Sequence, residues 1–173
     1  FKEDYPKHGG WASPSGHYIE FVDEKDKWAL RITDRMGQRL EFDCKKSGEE
    51  KVVFTDKAEQ TVIMDATKDK EKITLTDKAG QTVLLDATAG AEKVEVKDKG
   101  GAMVRLDPVA KKVTITDSMN TLVMNKTSGS IELTCSSEVK ILAAQKVSIG
   151  SGGPPVARKG DARSEERRVG KEC

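Results

Sequence analysis

The sequence predicts an all-β chain of repeated short strands with no substantial helix. Two observations carry this. A unit of about twenty-one residues recurs along the 173-residue chain. Within each unit, apolar residues fall at every second position, the period of a strand with one buried face. The clearest copy is Lys72 to Asp86, KITLTDKAGQTVLLD: a strand, an Asp, a tight turn, a second strand and a polar stop.

Two landmarks fix the register. The first Asp of each unit is Asp34, Asp56, Asp77, Asp98 and Asp117, at spacings of 22, 21, 21 and 19. The second stop is Asp43, Asp65, Asp86, Asp107 and Asn125, at 22, 21, 21 and 18. Both landmarks drift together, as they do in a true repeat. The first strands place Leu30/Ile32, Val52/Phe54, Ile73/Leu75, Val94/Val96 and Val113/Ile115 on one face. The second strands place Leu40/Phe42, Val62/Met64, Val83/Leu85, Val104/Leu106 and Leu122/Met124 on one face. Arg31, Glu41, Thr74, Glu95, Arg105 and Thr114 fall opposite and suit solvent, whereas Val53, Ile63, Leu84 and Val123 break the alternation.

Three residues after the first Asp stand Gly37, Glu59, Gly80, Gly101 and Asn120. Gly and Asn there predict a positive φ, with the Asp side chain bonding the local backbone; Glu59 departs from that pattern. After Asn125 the pattern shortens to strands at Ile131/Leu133, Val139/Ile141 and Val147/Ile149, then meets Gly150 to Pro155, which must leave regular β structure.

Composition narrows the function. Thirty basic and twenty-nine acidic residues nearly cancel, so nothing favours nucleic acid or an anionic membrane as partner. No apolar run approaches the roughly twenty residues of a membrane helix. Cys44, Cys135 and Cys173 have neither the number nor the spacing of a disulfide framework or zinc site. Neither His8 nor His17 has the partners of a catalytic triad, and His17 is expected to make a structural hydrogen bond. The recurring Asp residues fit turns better than glycosidase pairs or calcium repeats. No catalytic residue, metal ligand or cofactor is expected. Short strands with one narrow apolar face cannot bury it alone, which predicts an obligate homo-oligomer or a solenoid closed on itself.

The segment Ser13 to Asp43, SPSGHYIEFVDEKDKWALRITDRMGQRLEFD, resembles the central-spike family of contractile injection systems. Phage baseplate hub-spike proteins and the valine–glycine repeat spikes of type VI secretion belong to that family. The motif residues are Ser15, Gly16, His17, Ile19 and Glu20, preceded by Tyr5-Pro6 and Trp11; the usual acidic pair and Gly turn are replaced by Val22 to Asp26. The resemblance implies an obligate homotrimer wound into a three-sided β-helical prism, with the twenty stripe residues as its core. It also implies tail-tube or baseplate partners on the N-terminal side, a tip protein or effector on the C-terminal side, and action at the target cell envelope, as part of a virion tail or secreted apparatus. The work would be mechanical rather than catalytic. A receptor-binding or adhesin solenoid is the alternative, with a tailspike-type glycan hydrolase behind it.

On this reading residues 1–27 are a linker and the end of an OB-fold-like region, 28–150 the prism, and 151–162 a tip-connecting segment. Phe1 suggests a start inside a longer protein. Pro154 to Asp161 is similar to the opening of proline-alanine-alanine-arginine tip domains, but no His-x-His iron pair is present. Residues 163–173, RSEERRVGKEC, resemble a translated sequencing adapter and are expected to be disordered. Without that tail's four cations and three anions, 26 charges of each sign remain.

Overall fold

The computed structural model describes residues 7–44 and 48–141. It divides into two units, Phe1–Ser137 and Glu138–Cys173. In the second, the described residues 138–141 form no strand, and Lys140 pairs with Glu138 at 3.3 Å. The strand expected at Val139/Ile141 is therefore not formed: no neighbouring segment supplies it with ladder partners among the described residues. The strand at Val147/Ile149, the tip segment 151–162 and the tail 163–173 lie outside the described residues.

The first unit is one antiparallel sheet of thirteen five-residue strands, with no helix among the described residues. They are β1 His8–Ala12, β2 Tyr18–Val22, β3 Ala29–Thr33, β4 Arg39–Asp43, β5 Lys51–Thr55, β6 Thr61–Asp65, β7 Lys72–Thr76, β8 Thr82–Asp86, β9 Lys93–Lys97, β10 Met103–Asp107, β11 Lys112–Thr116, β12 Thr121–Asn125 and β13 Ser130–Thr134. Each strand pairs only with its sequence neighbours, so the sheet is an open meander with β1 and β13 at its ends. A solenoid closed on itself is not formed by the single chain. β1 and β2 fall within the residues 1–27 assigned to a linker, yet belong to this same sheet.

The turns explain the regularity. In the β3–β4 turn, Asp34 N–H donates to Gln38 O (2.9 Å) and Gly37 N–H donates to Asp34 O (3.1 Å). Asp34 Oδ1 accepts from the N–H groups of Met36 and Gln38, both at 2.8 Å. Gly37, at φ 89°, occupies the left-handed region that a Cβ disfavours. The same scheme recurs at Asp56, Asp77 and Asp98, with Gly80 at φ 87° and Gly101 at φ 94°. Glu59 also takes a positive φ, 66°, although it is not glycine. Asn120 does not: the β11–β12 turn is one residue shorter, and Asp117 N–H donates to Asn120 O (3.0 Å), the bond that Gln81 O accepts in the β7–β8 turn. Asn120 therefore stands in the place of Gln81; the four-residue β10–β11 connection, two shorter than that between β8 and β9, accounts for the spacing of 19, and the shortened β11–β12 turn for the further drop to 18 at Asn125.

The Ser13–His17 turn belongs to this series. Ser13 N–H donates to His17 O (2.8 Å), Gly16 N–H to Ser13 O (3.0 Å), and His17 N–H to Ser13 Oγ (3.1 Å), with Gly16 at φ 90°. Ser13 replaces the capping Asp, and it lies 21 residues before Asp34. His17 makes its structural hydrogen bonds in this turn through its backbone; its imidazole makes none among the described residues. Ser15, Gly16, His17, Ile19 and Glu20 thus form the first hairpin of the repeat, not a passage into it.

Candidate functional site

Pairing aligns the second and fourth residue of every strand into two continuous rows on one face. One row runs Trp11, Ile19, Ile32, Leu40, Phe54, Val62, Leu75, Val83, Val96, Val104, Ile115, Leu122, Leu133. The other runs Phe21, Leu30, Phe42, Val52, Met64, Ile73, Leu85, Val94, Leu106, Val113, Met124, Ile131. All twenty predicted stripe residues lie in these rows. None is buried within the single chain: Phe54 is 42% exposed, Met64 49% and Leu106 48%. Among the described residues no large side chain is fully buried, and Val22 and Ala29 are the two buried hydrophobic residues.

The apolar rows form grooves beside the turns of one long side. A concavity of about 540 Å³ is lined by Phe42, Val52, Met64 and Ile73, and another of about 1220 Å³ by Leu85, Val94, Leu106, Val113 and Met124. An apolar surface this long on an otherwise charged chain marks an interaction face. The aromatic residues of this face, Trp11, Phe21, Phe42 and Phe54, all lie in β1 to β5, so the face is bulkiest at its N-terminal end and aliphatic beyond Phe54.

The opposite face corrects the expectation that its residues simply meet solvent. Its central row runs Glu20, Arg31, Glu41, Val53, Ile63, Thr74, Leu84, Glu95, Arg105, Thr114, Val123. These residues are half-buried, and Glu41 is 8% exposed, because rows flank them on both sides. Of the residues that broke the alternation, Val53 and Ile63 pair directly, Leu84 follows on the far side of Thr74, and Val123 stands apart between Thr114 and Glu132. Beside them the charges pair. Arg31 donates to Glu41 (2.9 Å) and to Glu20 (3.0 Å), which raises the Arg31 pKa; Arg31 in turn lowers that of Glu20. Arg105 donates to Glu95.

One border of this face alternates in charge: Asp43, Lys51, Asp65, Lys72, Asp86, Lys93 stand opposite one another in turn. Lys51 Nζ lies 2.9 Å from Asp65 and Lys93 Nζ 3.6 Å from Asp86. The second-stop residues also cap turns. Asp65 Oδ1 accepts from Thr67 N–H (3.0 Å), Asp86 Oδ1 from Thr88 N–H (3.0 Å), and Asn125 Oδ1 from Thr127 N–H (2.9 Å). Burial pushes the Asp65 carboxyl up, but hydrogen bonds from Thr67 and Lys51 outweigh it and hold it at about 2.

Among the described residues, no three His, Cys, Asp or Glu converge as a metal site. The repeated Asp residues are engaged by backbone N–H groups in their own turns. Comparison with known protein families, with curated proteins and with solved structures finds no match to this chain. The family resemblance thus rests on the motif and repeat alone.

Proposed function

We propose that this chain is a non-catalytic structural spike of a phage baseplate or related contractile injection machine, in which three copies close their apolar faces around a common axis. The observation that supports this best is the two-row apolar face, continuous over twelve or more strands and uncovered within one chain. Closing it against copies of itself removes that surface from water, and separating the copies would re-expose all of it at once, a route to kinetic stability. The number three and the injection role come from the likeness of Ser13–Asp43 to central spikes. Tube or baseplate proteins would meet the bulky N-terminal end, and a tip protein or effector the other. Light scattering on the purified chain tests the reading: a trimeric mass that persists on dilution supports it, and a monomer overturns it.

A further inference from the structure

The two long sides of the ribbon differ in charge pattern. One side carries the turns after β1, β3, β5, β7, β9 and β11; the other carries the turns after the even-numbered strands. On the first side, the residue after the capping Asp is a cation in four successive turns: Arg35, Lys57, Lys78 and Lys99. All four are exposed, and none has an ion-pair partner among the described residues. Their neighbouring Asp carboxylates face inward to the turn backbone, and Glu59 is the one further carboxylate among these four tips. On the second side, the residue before the strand is Glu50, Glu71 and Glu92, at the same repeat. None of the three pairs with a cation among the described residues; Glu50 accepts from Gly48 N–H (2.9 Å) and Glu71 from Asp69 N–H (3.2 Å). Lys68, Asp69 and Lys70 leave one positive charge in the turn before Glu71, and the lysines that follow the glutamates stand in the strands, Lys51 and Lys93 engaged by Asp65 and Asp86; within the turns of this side the glutamates are the charge that repeats.

We propose that these sides are complementary interaction surfaces: the cationic row of one copy seats against the glutamate row of the next. Resting on the assembly reading above, this sets the direction of the copies. Two ribbons facing each other but running in opposite directions bring like side to like side, cation over cation about every 9.6 Å. Ribbons running in the same direction, as a face-to-face pair or a closed ring, bring unlike sides together. The two sets of turns are offset by one strand, about 4.8 Å, so Lys57 and Lys78 each fall between two glutamates of the neighbour, and Arg35 and Lys99 beside one, within reach of a long side chain.

Cysteine cross-linking tests the arrangement. In the full chain with Cys44, Cys135 and Cys173 changed to Ser, three variants are compared: Lys78→Cys with Glu71→Cys, Lys78→Cys alone, and Glu71→Cys alone. The two positions flank opposite ends of a strand about 17 Å long, too far for a bridge within one chain. Oxidation should yield covalent multimers from the double variant and none from either single variant. An assembled protein that cross-links through Lys78→Cys alone, or whose double variant stays uncrosslinked, overturns the inference while leaving assembly intact. A monomeric mass overturns the assembly reading itself. Separately, Lys57→Glu with Lys78→Glu should weaken association roughly tenfold at low salt, and adding Glu50→Lys with Glu71→Lys should restore it. Unchanged association after the first pair, or no recovery after the second, also refutes the pairing.

Discussion

Leu75 offers the sharpest test of the apolar face. It lies in β7 between Val62 and Val83 and is 40% exposed in the single chain. Burying a whole leucine side chain contributes about 1.5–3 kcal/mol, so covering the remaining two-fifths is worth roughly 0.6–1.2 kcal/mol per copy. In the proposed trimer, Leu75→Ala should weaken association by about 1.8–3.6 kcal/mol, roughly twenty- to four-hundredfold. Leu75→Asp goes further. It brings one carboxylate per copy into the same closing layer, each costing several kcal/mol to desolvate, with mutual repulsion added. Its oligomer should be lost at micromolar concentration, as measured by light scattering after gel filtration. Thr74→Asp is the matched control. Thr74 sits on the other face between Ile63 and Leu84, so an Asp there should lower the stability of each ribbon but leave the oligomeric mass unchanged. An oligomer that survives Leu75→Asp, or dissociates equally with both variants, refutes the reasoning.

Three further outcomes follow from particular contacts. Because Asp65 is held at about 2 against an ordinary 3.8, its stabilising contribution is complete above about pH 4 and lost as pH falls towards 2. Its ceiling is about 2 kcal/mol, lowered by solvent screening, and denaturant midpoints at pH 5 and pH 2.5 should differ less in Asp65→Asn than in the parent chain. Glu59→Gly should relieve the left-handed backbone at φ 66° and raise stability by up to about 1 kcal/mol, seen as a higher urea midpoint; a lower midpoint would show that the turn tolerates Glu without strain. Glu41→Ala strips Arg31 of one of its two carboxylate partners and should cost about 1–3 kcal/mol in chemical denaturation. Adding Arg31→Ala should cost less than the sum of the two single changes; strict additivity would mean the pair is not coupled.

Strands and capping turns were legible because their signals are local: a period of two, and an Asp followed three residues later by Gly. What could not be read locally was neighbourhood. Val53 and Ile63 looked like breaks in a pattern until pairing set them side by side, with Leu84 one strand beyond Thr74, and register depends on turn length, not on any one strand. The same limit hid the role of Ser13. Its spacing from Asp34 was visible, but the substitution of Ser for Asp and the difference in flanking sequence made the first hairpin look like a separate motif. Glu59 and Asn120 failed in opposite ways. At Glu59 the fixed turn overrode residue preference, whereas at Asn120 a deleted residue moved the preferred residue out of the position.

The strictly sequential meander has a consequence for length. Ladder partners lie close along the chain, so loops closed during folding are short and the sheet can grow hairpin by hairpin. Each repeat adds two strands, about 9.6 Å, without altering the partners of strands elsewhere. Gaining or losing one repeat would therefore change reach in fixed increments while conserving every other contact. Duplication of a short stretch of sequence is enough to fit such a chain to a new distance.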